Sequence, residues 1–282
     1  MSKYLVILAW PVGITIVLGI AFLLVRSQPR PTLTTPGPVP SGGSPGPGSV
    51  ARAARMLGLI ALGTLAVYGV MALLGLLVVH HGLAVDRPVN DWMTGHRVHA
   101  WAAAMNRLTK IGNTWTCWGA AVSAAVCLAV SWRAQRWLPP AVLGALIVVD
   151  HYTTLALRHT FHRLGPPDSP LGTYPSGGCD RVIVFYGLIA YLLWREFSGQ
   201  RRAAIWAAAA VAALGFNEAY SRVYLTLHWF TDALSGLLYG GLLLAVFIAA
   251  VRVVAGPAPA AARAGRDTAR AVRAPATQEA AP

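Results

Sequence analysis

The chain has 282 residues, of which 56% are hydrophobic and 12% charged, against about 25% charged in an ordinary soluble domain. That balance argues against a soluble globular protein, and three scattered cysteines, Cys117, Cys127 and Cys179, make neither a disulfide framework nor a cysteine metal site. A formal net charge of +13 brings nucleic acid into consideration as a partner, and the placement of the charges decides against it.

Apolar runs long enough to cross a bilayer, which takes roughly 20 helical residues, fall at 4–25, 56–79, 111–131, 138–159, 179–197, 203–220 and 228–251. All seven are expected to be helices, since they lack the alternation of strands and only helices or closed barrels satisfy the backbone in lipid. The first (1–28 with its flanks) begins with Lys3 before an apolar stretch, as a secretory signal does. The stretch is longer than a signal's apolar region and has no small-residue cleavage site, so an uncleaved span is expected. Residues 29–55 are rich in Pro, Gly and Ser and read as a linker. Residues 56–252 form a block of six spans, and 253–282 form a basic Ala- and Pro-rich tail without an apolar face.

The basic residues sort by side. Arg26, Arg30, Arg52 and Arg55 lie around the linker, Arg133 and Arg136 in one short loop, Arg195, Arg201 and Arg202 around another, and Arg252, Arg263, Arg266, Arg270 and Arg273 towards the tail. The opposite segments carry Arg87, Arg97, Arg107, Lys110, Arg158, Arg163, Arg181 and Arg222, partly balanced by acids. Because Lys and Arg are retained in cytoplasmic loops, the first set is expected inside, with the C-terminus cytoplasmic and the loops at 80–110, 160–178 and 220–227 extracytoplasmic. The basic excess then reflects orientation in a cell membrane and anionic headgroups rather than nucleic acid.

Those outer loops carry the chemistry. Ser221-Arg222, then five residues, then His228 and, four further on, Asp232 stand where the last span begins. His228 and Asp232 share a helical face, so the carboxylate is expected to hold the imidazole by one ring nitrogen, while Arg222 is suited to neutralise phosphate oxygens. The bland alternative is an interfacial His and Asp at a helix start with a snorkelling Arg. Tyr174-Pro175-Ser176-Gly177-Gly178 precedes another span, where free N–H groups, a positive dipole end and glycines suit an anion. Arg158, with His159, His162 and Arg163 close behind, stands at the outer end of the span before it.

These three segments resemble the signature of the type 2 phosphatidic acid phosphatase (acid phosphatase/haloperoxidase) superfamily: Lys, six residues, Arg-Pro; Pro-Ser-Gly-His; and Ser-Arg, five residues, His, three residues, Asp. The third is matched in full by Ser221, Arg222, His228 and Asp232; the second by Pro175, Ser176 and Gly177, with Gly178 in the histidine's place; the first by Arg158 for the lysine and Pro166, with Gly165 in the arginine's place. The resemblance covers roughly 56–251. It implies an all-α, six-helix membrane core, here with an additional N-terminal span, and an integral-membrane lipid phosphatase acting on a lipid phosphate or diphosphate. It further implies His228 as nucleophile forming a phosphohistidine, Asp232 as its orienter, and Arg222, Arg158, Ser176 and Gly177 as the phosphate cradle. No metal or other cofactor is implied, and no His or carboxylate cluster stands at ligand spacing.

The departures shape the expected chemistry. The family's second histidine protonates the leaving group, which Gly178 cannot do. A diphosphate's leaving phosphate needs that proton less than an alkoxide does, so a substrate such as a polyprenyl diphosphate is favoured, unless His159, His162 or Asp180 supplies it. On sequence grounds Gly178→His is expected to raise monoester hydrolysis. Whether Arg163, two residues earlier, refills the charge lost at Gly165 is left open by the sequence. A silent relative that binds phospholipid or a membrane partner is the alternative function. Asp150 and His151, inside an apolar run, read as an interhelical pair or, less well, as a transport relay.

Overall fold

The computed structural model describes residues 47–132, 135–167, 173–198 and 200–256. The expected first span 4–25, the linker up to residue 46 and the tail from 257 lie outside the described residues. Among the described residues eight helices follow in order, besides a short 3-10 turn at Thr109–Gly112: α1 Pro47–His81, α2 Leu83–Gly95, α3 His99–Leu108, α4 Thr114–Ser131, α5 Leu138–Phe161, α6 Gly177–Phe197, α7 Arg201–Tyr224 and α8 Phe230–Ala255. Among the described residues there is no strand. Six of these helices, all but α2 and α3, are long and apolar enough to cross a membrane.

Local chemistry explains the helix ends. Pro139 and Pro140 sit in the first turn of α5, where a missing N–H costs nothing. That helix stops at His162, whose left-handed backbone (φ 43°) turns its N–H back onto the Arg158 carbonyl. α1 starts at Pro47, ahead of the expected 56, through a run of Ala and Arg that are good helix formers. α6 is widened by π-type turns at Val182–Tyr186 and Trp194–Ser198.

The spans bury one face and show lipid the other. Met71 of α1, Leu128 of α4, Leu143 and Leu146 of α5, Leu188 of α6 and Tyr239, Leu243 and Phe247 of α8 form the closed interior. Leu62 and Leu73, Val126 and Val130, and Trp206 and Phe216 face outward, an apolar exterior suited to a bilayer and not to water. α6 is the central span, with 67% of its apolar stretch buried inside the bundle, whereas α7 is peripheral at 11%. α8 lies along α1 and α6 and approaches the start of α6 closely. A Cβ on Gly236 would lie 2.4 Å from the Ser176 carbonyl oxygen, and one on Gly240 2.5 Å from that of Asp180. Small residues are what let helices in lipid come this near.

The 80–110 segment, expected as a loop, is folded into α2 and α3. Val89 and Met93 pack on Cys179, Ala219, Val223 and Ala233, while Trp92 and Trp101 stay exposed. These two short amphipathic helices cap one end of the bundle, the end where α5 finishes and α6 and α8 begin.

Candidate active site

The three motif segments meet at that end. After α7 the chain reverses at Thr226, which is left-handed (φ 53°), and the N–H groups of Leu227 and His228 both point to the Arg222 carbonyl, at 3.0 and 3.4 Å. The five-residue spacing between Arg222 and His228 is therefore one backbone-closed turn. Arg97, from the α2–α3 connection, fastens it by donating to the Tyr224 carbonyl (3.1 Å) and the Thr226 hydroxyl (3.0 Å). Ser176 is tied to the start of α8, its N–H donating to the Asp232 carbonyl at 3.0 Å. The Ser176 side chain is fully buried, and Gly177 and Gly178 form the first turn of α6.

Arginines converge on those two glycines. A Cβ added to Gly177 would lie 2.8 Å from Arg158 Nη2 and 2.9 Å from Arg181 Nη2; one on Gly178 would lie 2.6 Å from Arg222 Nη2 and 2.6 Å from Glu218 Oε1. Without Cβ atoms the backbone N–H groups and three guanidiniums are brought around one small volume, which suits a multiply charged anion. The Glu218 carboxylate fixes Arg222 through Nε (2.7 Å) and also accepts from the Thr109 hydroxyl (3.1 Å), and Asn113 accepts from Arg222 Nη2 at 3.2 Å.

His228 is almost wholly enclosed beside these charges. Its Nδ1 lies 3.1 Å from the Thr173 carbonyl oxygen, which can only accept, so Nδ1 carries the proton and Nε2 the lone pair. Burial, then the positive charges of Arg222 and Arg158, push its pKa from 6.5 down to about 3, and Arg181 acts in the same direction. The imidazole is neutral at physiological pH, the state a nucleophile needs.

One expectation is corrected and one open question is answered. Asp232 does not hold the His228 ring: one carboxylate oxygen pairs with Arg163 Nη1 and the other accepts from the Trp229 N–H (3.3 Å), making Asp232 the cap of α8. Arg163 does not refill the charge lost at Gly165. It is buried between Asp232 and Asp86, the latter 2.5 Å from Nη2, and Asp86 also takes the Thr231 N–H at 2.8 Å. Of the substitutes for the missing proton donor, Asp180 is fully buried and accepts from Thr154 (3.3 Å), and His159 and His162 are exposed and set edge-on to each other. Asp150 and His151 are not a unit either: Asp150 faces inward to Arg181, and His151 faces outward against Trp118 and Tyr152.

Sequence reading missed Arg181, Asp86 and Thr173. Arg181 had a readable signal, being one helical turn after Gly177 and so on the same face of α6. Asp86 had one in its spacing with Val89 and Met93. The Thr173 contact is made by a backbone atom and has none. Among the described residues no group of three His, Cys, Asp or Glu side chains is placed to hold a metal ion.

These features define an all-helical, multi-pass membrane protein with a cluster of guanidiniums around two glycines at one end of its bundle. The family model of the PAP2 superfamily matches residues 59–254, and the chain belongs to that superfamily. Among solved structures it is similar to the crystal structure of the first transmembrane PAP2 type phosphatidylglycerolphosphate phosphatase, from Bacillus subtilis, with a TM-score of 0.59 at 18% identity over 66% of this chain and 94% of that one; the likeness is one of fold. No curated protein sequence matches it.

Proposed function

We propose that the protein is a lipid phosphatase that removes phosphate from a lipid phosphate or diphosphate at the extracytoplasmic face of the cell membrane. The observation that carries this reading is a neutral, enclosed His228 beside Arg158 and Arg222, at glycines 177 and 178. The membership in the PAP2 superfamily, and the likeness to the Bacillus phosphatidylglycerolphosphate phosphatase, point the same way. The orientation rests on the excess of Arg in the opposite loops and tail.

In this mechanism Arg158, Arg222 and the N–H groups at the start of α6 bind the phosphoryl oxygens, with Ser176 and Gly177 shaping the turn. The Thr173 carbonyl holds Nδ1–H of His228, and Nε2 attacks phosphorus as the bond to the leaving oxygen breaks. Water then attacks the phosphohistidine, and inorganic phosphate departs with Nε2 restored. Charge stabilisation by fixed cations is the main contribution of such a site. Asp232 acts at one remove, by capping α8 next to His228 and neutralising Arg163. With glycine at 178, a diphosphate leaving group suits the site better than an alkoxide, which makes a polyprenyl diphosphate the preferred substrate class.

A second reading, a catalytically silent member that binds phospholipid or a membrane partner, is favoured by one observation: the volume a residue-178 side chain would take is occupied by Glu218 and Arg222. Phosphate release by the purified protein in detergent, from a polyprenyl diphosphate and a phosphatidic acid in parallel, separates the two. Release that disappears in His228→Ala supports the phosphatase, and absence of release from both substrates supports the silent relative.

A further inference from the structure

Asp150 is fully buried in the middle of a membrane-spanning helix, a position at which a carboxylate is costly unless a cation answers it. The answering cation is Arg181, whose Nε lies 3.4 Å from Asp150 Oδ2. This pairing is one-sided. It engages the inner edge of the guanidinium, and Nη1 and Nη2 extend to Gly177, 3.2 and 2.9 Å from where its Cβ would be. Arg158 Nη2 reaches that same point at 2.8 Å, and its buried Nε has no partner among the described residues. The buried Asp150 and Asp180 carboxylates offset the mutual repulsion of these two guanidiniums, and the Nη edges of both still turn to Gly177, where an anion would be met by two N–H forks at once.

We infer that Arg181 is a phosphate-binding residue of this site, fixed in place by Asp150, and that it supplies the cationic charge which Gly165 and the Asp-bound Arg163 do not. The assignment deepens the phosphatase reading and rests on it. It gives a buried intramembrane acid a purpose, that of a positioning residue acting through Arg181. It also names a replacement for the charge lost from the segment after α5: a guanidinium that enters from the first turn of α6. Arg181 contributes as well to the positive field that keeps His228 unprotonated.

The test uses the full chain in detergent and inorganic phosphate as the probe, read as the phosphate-dependent rise in unfolding temperature and as competitive inhibition of hydrolysis. Loss of one charge-assisted contact predicts about ten- to hundredfold weaker phosphate binding in Arg181→Gln, with Arg181→Lys retaining part of it. Asp150→Asn is expected to weaken phosphate binding less than Arg181→Gln does and to raise KM more than it lowers kcat, a split that a purely structural acid would not produce. If Arg181→Gln does not fold, the double variant Arg181→Gln/Asp150→Asn removes both buried charges together, and its phosphate affinity decides. Wild-type phosphate affinity in either folded variant overturns the assignment and leaves the phosphatase reading standing. A wild-type protein that neither binds phosphate nor releases it from lipid overturns that reading, and this assignment with it.

Discussion

His228 is held by Thr173: Nδ1–H donates to a main-chain carbonyl 3.1 Å away, in the segment leading to α6. A main-chain carbonyl stays neutral, so it sets the ring's tautomer without adding charge. The Asp232 carboxylate, four residues from His228, is taken up by Arg163 and the Trp229 N–H.

This arrangement separates two substitutions. His228→Ala is expected to lower kcat for phosphate release by roughly 10³ or more and to abolish acid-quenched phosphoenzyme. Asp232→Asn keeps the hold of Thr173 on the ring and should lose markedly less activity per folded molecule. Steady-state kinetics on detergent-purified variants, normalised to folded protein, checks both. Equal losses in two well-folded variants would contradict the indirect role of Asp232.

The pH dependence follows from the same enclosure. An imidazole whose pKa falls from 6.5 to about 3 on folding stays neutral in the native protein while the unfolded chain takes up a proton below about pH 6.5. Native stability contributed by this group is therefore full above 6.5 and declines as pH falls towards 3, with a slope approaching about 1.4 kcal/mol per pH unit. His228→Asn should flatten that slope in thermal unfolding measured from pH 7 to pH 4. In the wild type, kcat/KM should show no acidic limb near 6.5 from this residue, and a limb at that value lost in no other variant would reassign the nucleophile's environment.

The ion-paired cluster of Asp86, Arg163 and Asp232 predicts a stability effect. Arg163→Met leaves two buried carboxylates without a cation and should cost about 3–5 kcal/mol, read as a large drop in unfolding temperature. Asp86→Asn in the same background should recover part of that loss, because one uncompensated charge is removed. Additive losses in the double variant would mean that the three groups are not coupled.

The six spans of the block could be read from hydrophobic run length alone, since lipid admits few other structures. The motif residues could be read because their spacing is enforced locally, as the Arg222–His228 turn illustrates. What could not be read is which charge meets which across the bundle. Arg163 and Arg181 are both basic residues near the outer ends of spans. Only the assembled helices show that one is held between carboxylates while the other reaches Gly177. The helices α2 and α3 were missed because they are short and amphipathic, lying at one end of the bundle without crossing it.

Position 178 carries the last prediction, and its direction is reversed by the structure. From the sequence, Gly178→His restores a proton donor. In the folded protein a Cβ at 178 would lie 2.6 Å from both Glu218 Oε1 and Arg222 Nη2. Arg222 is itself anchored, by Glu218, Asn113 and the Thr109 carbonyl, so it cannot swing aside freely. Gly178→His should therefore displace Arg222 from the anion and lower hydrolysis of both monoester and diphosphate, by about tenfold or more. The volume opens only if the carboxylate goes too. Adding Glu218→Ala to Gly178→His should bring monoester hydrolysis above that of the Gly178→His single variant, and Gly178→Ala, which adds the Cβ without a donor, should be impaired without being rescued for the monoester. Initial rates on phosphatidic acid and a polyprenyl diphosphate across the three variants check this, and a gain of monoester activity in Gly178→His alone would mean that Glu218 and Arg222 yield more readily than their contacts imply.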